Sequence, residues 1–366
     1  MRRRILAALG ALLLAFISPA LQADEAPPAG SVPLGLPPLP LPPAPAEMIA
    51  LGRALFFDTR LSVNDTMSCG LCHQPEAAYS ENQSARAVGL FGAPLPRHPP
   101  SLYNVVYQQK LFWDGRESRL ETQILSPLLA PDEMGMPSAG YLLDRLDSIP
   151  EYHAAFRRVF GGPPTLDRLG AAIAAFERSL LSGNSPFDRW FYGREDNALS
   201  EAAIRGFSVF TGKGGCAACH PIGAHDALFT DGAFHDTGLV YAETHDTAAG
   251  TVSLGGGLTT RIDAEALGIG LHFTPDPGRF AITHDPRDRF AFKTPSLRNV
   301  ARLAPYMHDG ALPTLAAVIE FYDRGGGQSP DQDARIHPLH LSAGEKADLL
   351  AFLEALTGTP APSPPP

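Results

Sequence analysis

Apolar residues recur at helical spacing in two long stretches, one towards the end of each half of the chain. Between Leu166 and Leu181 the positions Leu169, Ile173, Phe176 and Leu180 share one face, and Ser182-Gly-Asn-Ser-Pro186 stops the run. From Ser342 to Gly358 a second amphipathic helix carries Leu349, Leu350, Leu353 and Leu356, behind a capping box of Ser342 and Glu345. Each half also opens on a shorter helical pattern, Gly52-Arg-Ala-Leu-Phe-Phe57 in the first and Gly206-Phe-Ser-Val-Phe210 in the second. A Gly-x-x-x-Phe step lets one helix pass close to another while turning an aromatic ring inward, and its recurrence is a weak internal repeat. Few convincing strands lie between these elements. The expected fold class is mainly α, with a domain boundary near residues 183–200.

Composition refines the two ends. Residues 24–46 are nearly all Pro, Ala, Gly and Leu, which favours extended segments, so a Pro-rich linker is expected, either a tether or a chain that wraps the surface. The same composition at residues 359–366 predicts a disordered tail. Residues 1–23 combine Met1-Arg-Arg-Arg4, an apolar run from Ile5 to Ile17 and small residues up to Ala23, the pattern of a secretory signal peptide. That run is shorter than the stretch of about 20 residues a spanning helix needs, and no other such run occurs, so no membrane span is expected. The 366 residues then divide into an N-terminal domain at 47–190 and a C-terminal domain at 191–358. A net charge of -10 argues against nucleic acid and favours a partner with a basic docking face.

Two motifs carry the chemistry. Cys69-Gly-Leu-Cys72-His73 and Cys216-Ala-Ala-Cys219-His220 use all four cysteines of the chain. Haem c attachment needs two thiols on a short bend, one for each vinyl group, and an imidazole directly after them to bind iron. Disulfides or a zinc site would suit the cysteine spacing too, but the histidine after each pair argues against both. Two covalently bound haem c groups are expected, attached through Cys69, Cys72, Cys216 and Cys219, with His73 and His220 as metal ligands. Covalent haem attachment is completed outside the cytoplasm, which agrees with the signal peptide and predicts the periplasm of a Gram-negative bacterium.

Residues 111–137, from Leu-Phe-Trp-Asp-Gly-Arg116 to Glu133-Met-Gly-Met-Pro137, join these motifs in a wider pattern. With Leu51-Gly-Arg-Ala-Leu-Phe-Phe-Asp58, Lys293-Thr-Pro-Ser-Leu-Arg-Asn-Val300 and Pro305-Tyr-Met-His-Asp-Gly310, the chain resembles the bacterial dihaem cytochrome c peroxidases and the related methylamine utilisation protein MauG. The match covers roughly residues 47–358. The resemblance implies two cytochrome c-like domains facing each other, a peroxidatic haem on His73 and an electron-transfer haem on His220. It implies that Trp113 relays electrons between the haems, and that Glu133 assists peroxide cleavage with Gln123 and Pro127 beside it.

The resemblance also separates two subfamilies. Many of the peroxidases carry a histidine in a loop after the first motif that blocks the iron until the second haem is reduced. Here the matching position is Leu90, and no histidine occurs between His73 and His98. Fourteen residues after His308, where peroxidases place a methionine and MauG a tyrosine, stands Tyr322; Tyr306 and Met307 are rival ligands. An anionic phenolate lowers the potential of its haem relative to a thioether, which suits storage of an oxidising equivalent. The family often binds calcium through an Asn side chain and backbone carbonyls, but His98 and Leu303 stand at the matching positions, which weakens that site.

The expected function is oxidation of a partner protein with hydrogen peroxide, as by MauG on a methylamine dehydrogenase precursor that matures a tryptophan-derived cofactor. Its rivals are a conventional peroxidase taking electrons from a small cytochrome c or cupredoxin, and a non-catalytic dihaem electron-transfer cytochrome.

Overall fold

The computed structural model describes residues 32–245, 250–255, 258–262 and 275–361. The expected signal peptide at residues 1–23, the start of the linker and the last five residues lie outside them.

Two helix crossings organise the described residues. In the first, the helix Ala46–Phe57 lies across the helix Leu166–Arg178, whose N-terminus is capped by the Thr165 side chain accepting from the Arg168 amide. Gly52 sits at the crossing. A Cβ there would collide with the Ala172 carbonyl and stand 3.0 Å from the Phe176 Cβ, so only glycine permits this approach. Phe56, one turn on, meets the Phe176 ring edge-on at 5.1 Å. The second crossing repeats the first, with the helix Glu201–Thr211 over the helix Ala343–Glu354. A Cβ at Gly206 would collide with the Asp348 carbonyl and stand 2.8 Å from the Phe352 Cβ, and Phe210 meets Phe352 at 5.0 Å. Both arms of the Ser342 and Glu345 capping box form.

The glycines therefore fix a register between the halves. Ala172 corresponds to Asp348 and Phe176 to Phe352, which pairs Ile173 with Leu349 and Glu177 with Leu353.

Each crossing nucleates its own core. The first gathers buried residues from Ile49 to Leu180, and the second those from Phe187 to Leu356. The second core thus begins ahead of residue 191, because the short helix Pro186–Phe191 is fixed by its own Ser185 and Asp188 capping box and turns Phe187 onto Phe229 and Phe352.

The described part of the Pro-rich segment is a surface strap. Leu34 exchanges hydrogen bonds with Asn184, the Gly35 carbonyl accepts from the Ala227 amide and from Arg298, and the Tyr107 hydroxyl donates to the Pro37 carbonyl. Arg298 is buried in an ion pair with Asp188 at 2.9 Å, an arrangement whose rupture would strand a charge. The start of the expected disordered tail is ordered instead: Thr359–Pro360 pairs antiparallel with Ser182–Gly183, and the Ala361 amide donates to the Leu181 carbonyl. The extended backbone of Ser182–Gly183 and the Leu181 carbonyl supply the partners that order it. Two other short antiparallel pairings occur among the described residues, Phe234–Asp236 with Ala291–Lys293 and Gly250–Gly255 with Leu258–Ile262. Among the described residues no helix is long and apolar enough to cross a membrane.

Candidate active site

The first haem motif forms one helical turn, Cys69–Cys72, closed by the His73 amide on the Cys69 carbonyl at 2.9 Å. A Cβ at Gly70 would collide with the Phe57 ring, so the motif lies tight against the leading helix. His73 Nδ1 lies 2.9 Å from the Tyr79 carbonyl, an acceptor that requires Nδ1 to carry the proton. Desolvation lowers the His73 pKa, which favours the neutral ring with the lone pair on Nε2. His220 repeats the arrangement, with Nδ1 at 2.8 Å from the Phe229 carbonyl and a pKa lowered by the same cause. All four thiols are unpaired, and desolvation pushes Cys69 up to about 12 and Cys72 and Cys216 up to about 11. Two protonated thiols beside one oriented, neutral imidazole at each motif fit haem c.

A cavity of about 940 Å³ opens beside His73. Gln123, Pro127 and Glu133 all line it with Cys69, Cys72 and His73, so the structure brings the expected distal residues together. Gln123 and Pro127 lie four apart on the consecutive short helices Leu120–Gln123 and Leu125–Leu129, which turns both to one side. The following turn folds back on that helix through Met134 to Pro127 and Met136 to Leu128 hydrogen bonds, carrying Glu133 to the cavity. Burial, and after it the charge of Asp132, raises the Glu133 pKa; Arg116 opposes them. A carboxyl shifted this way holds a proton more firmly than a free acid and can both accept and return one.

Leu90 donates its amide to the Asp132 carbonyl and packs against the first core, outside the cavity lining. His98 lines the cavity, but its Nδ1 is 3.0 Å from the Ala85 carbonyl and its Nε2 3.3 Å from the Ser80 hydroxyl. His308 reaches the same cavity with its ring stacked on Phe292 at 3.7 Å. The engaged ring of His98 and the apolar Leu303 supply no side-chain oxygen for the calcium site already weakened in the sequence, and calcium is unsupported.

The second motif borders a cavity of about 240 Å³. Leu315, Val318, Ile319 and Tyr322 reach it from one face of the helix Leu315–Asp323, and Leu349 and Leu353 from the closing helix. Burial raises the Tyr322 pKa, and among the described residues its hydroxyl has no hydrogen-bond partner. Of the rival ligands, Tyr306 donates its hydroxyl to the Val300 carbonyl at 3.1 Å, while Met307 lines the cavity.

Trp113 lines both cavities and a third of about 110 Å³. It is held at both ends: Nε1 donates to the His98 carbonyl at 2.8 Å, and its own carbonyl accepts from the Lys293 amide at 2.8 Å. Its neighbour Asp114 is clamped by Arg97 and Arg116, and Arg97 also grips Asp276.

Several cavity residues escaped the sequence expectations: Arg97, Asp276, His308, Lys293 and Glu177. For Glu177 a signal existed. It lies four residues after Ile173 and three before Leu180, on the apolar face of its helix, where an acid is out of place.

The family model for di-haem cytochrome c peroxidase matches residues 46–196. The methylamine utilization protein MauG of Methylorubrum extorquens is 41% identical over 317 residues, 86% of this chain and 79% of that protein. Cytochrome c551 peroxidase of Pseudomonas aeruginosa is 32% identical over 365 residues, 96% of this chain and 91% of that one. The crystal structure of a MauG-like protein associated with microbial copper homeostasis is similar with a TM-score of 0.71 at 33% identity, covering 92% of this chain and 96% of that one.

Proposed function

The chain belongs to the dihaem cytochrome c peroxidase/MauG family, and from that premise we propose that it works in the periplasm as a MauG-like enzyme, using hydrogen peroxide to oxidise a partner protein. The observation that carries this reading is the pair of ligand positions: an apolar Leu90 that packs on the first core and is not in the lining of the His73 cavity, and Tyr322, which reaches that of His220. Two haem c groups, held by the four thiols and by His73 and His220, supply the redox chemistry when bound.

The side chains divide the remaining work. Glu133 takes the proton from the near oxygen of peroxide and returns it to the leaving oxygen, and Gln123 and Pro127 bound the space in which peroxide turns. Trp113, fixed at both ends between the cavities, carries electrons across. Tyr322, as an anionic oxygen donor, biases the second site towards its oxidised form. The partner is oxidised at its surface, and a methylamine dehydrogenase precursor whose tryptophan-derived cofactor is being completed is the substrate class we favour.

The test is spectroscopic. The fully oxidised protein is expected to show one high-spin haem and to react with stoichiometric peroxide at once, giving a long-lived product. Tyr322→Met should retain both haems, change the spectrum of the second and abolish that lifetime; an unchanged second spectrum removes Tyr322 as ligand. Reaction only after one-electron reduction supports the second reading, a conventional peroxidase fed by a small cytochrome c or cupredoxin, which the similarity to cytochrome c551 peroxidase favours. Two low-spin haems would leave only an electron-transfer cytochrome.

A further inference from the structure

The register set by the two glycines equates Glu177 with Leu353, and both reach a cavity. Ile173 and Glu177 line the first cavity as Leu349 and Leu353 line the second. One half therefore fills the position with a leucine and the other with an acid. The Glu177 side chain is only 4% exposed, and its Oε2 has no hydrogen-bond partner. An unpartnered buried carboxyl destabilises a fold where a leucine would not, and the second half shows that a leucine suits the position.

Burial first, and then the charged groups around it, set its tendency to hold a proton. Arg178, next on its helix, donates to Glu121 at 2.5 Å, and Glu121 comes from the neighbouring short helix. From the leading helix Arg53 lies over Phe57, and from the motif turn come the Cys69 and Cys72 thiols. Across the cavity stand Glu133 and Arg116. Burial pushes the Glu177 carboxyl up to about 8, with Arg178 lowering it and Glu121 raising it. Glu177 and Glu133 both act electrostatically on Cys69, so the two carboxyls border one region.

We propose that Glu177 is the proton store of the peroxide cavity, supplying through Glu133 a proton that peroxide reduction consumes. This rests on the reading of that cavity as the peroxide site. Reduction of hydrogen peroxide to two waters breaks one O–O bond, forms two O–H bonds and takes up two protons and two electrons, the electrons coming from the oxidised partner. In O–O cleavage Glu133 moves the proton already present from one oxygen to the other. In the reduction that follows it passes on one of the two additional protons, which Glu177 delivers; the other comes from solvent, which also refills Glu177 between turnovers.

The holoenzyme is compared with Glu177→Gln, which keeps polarity but cannot release a proton, and with Glu177→Leu, which copies the second half. Both are expected to keep two haems and the wild-type rate of the first reaction with peroxide. Both should lower kcat by about a hundredfold or more, the lower end of proton-transfer effects, and lose the wild-type pH profile. Glu177→Asp should recover part of the loss. In infrared difference spectra of the resting and peroxide-treated protein, a carboxylic-acid carbonyl band sensitive to heavy water should be present in wild type and missing in Glu177→Gln. A Glu177→Gln protein with wild-type kcat at every pH and an unchanged infrared band overturns the proposal. If wild type itself consumes no peroxide, the reading of the cavity fails, and the infrared band still reports whether Glu177 carries a proton.

Discussion

The first crossing presents Ile173 and Glu177 to a cavity of about 940 Å³, whereas the second, in the same register, presents Leu349 and Leu353 to one of about 240 Å³. Everything that sets the backbone is shared: the glycine at the crossing, the phenylalanine one turn later, and the histidine whose Nδ1 is tied to a carbonyl. The differences fall on side chains that face the cavity. Polar groups, Glu133, Gln123 and Glu177, collect in the larger space, and an apolar face ending in Tyr322 closes the smaller one. The scaffold fixes where an iron ligand stands, and the lining decides whether a small polar substrate finds proton-exchanging groups there.

Five substitutions would break or sharpen this contrast. The largest effect is expected from Glu133→Gln, which removes the proton shuttle of the larger cavity and should slow its reaction with peroxide by about 10²- to 10⁴-fold in stopped-flow measurements. A loss below that range would make the polar lining incidental. Leu353→Glu places the acid of the first half in the second. With no compensating partner it should lower stability by on the order of 3 kcal/mol at neutral pH, measured by denaturant unfolding. Stability equal to wild type would dissolve the equivalence of the two positions.

Gly52→Ala and Gly206→Ala test the shared frame. Each forces a methyl group against a backbone carbonyl and should lower stability by about 1–3 kcal/mol, by similar amounts in the two halves. A large effect in one half alone would show that the crossings are not equivalent. Glu177→Leu should have the smallest effect, visible as a change of slope. The Glu177 carboxyl stands at about 8 in the folded chain against an ordinary value of 4.5, so across that window the folded state binds more protons than the unfolded one. Wild-type stability therefore falls as pH rises through the window, and the leucine variant should show a flatter Tm profile with its greatest advantage near pH 8.

Much of this contrast was legible before any coordinates. The Gly-x-x-x-Phe repeat, the two amphipathic helices and the Ser342 capping box are local patterns, and each appears where its residues lie. The association of Gln123, Pro127 and Glu133 was legible only through the resemblance to the family, whose motif residues 111–137 match. Less was visible where partners are distant in sequence. The strap at Gly35 depends on Arg298, and the pairing of Thr359 and Pro360, at the start of the tail, on Ser182 and Gly183, neither of which composition alone reveals. Arg97 with Asp276, and Lys293 with Trp113, are long-range pairings of the same kind.

By itself the sequence determined the covalent chemistry and the repeated frame, because a thiol pair with its histidine and a close helix crossing are each specified by residues a few positions apart. Only the tertiary structure decided that Glu177 and Leu353 are the same position in two halves, that Trp113 touches all three cavities, and that Leu90 packs on the first core. Those outcomes depend on which surfaces meet when distant segments pack, and local periodicity carries no record of the partner across the interface.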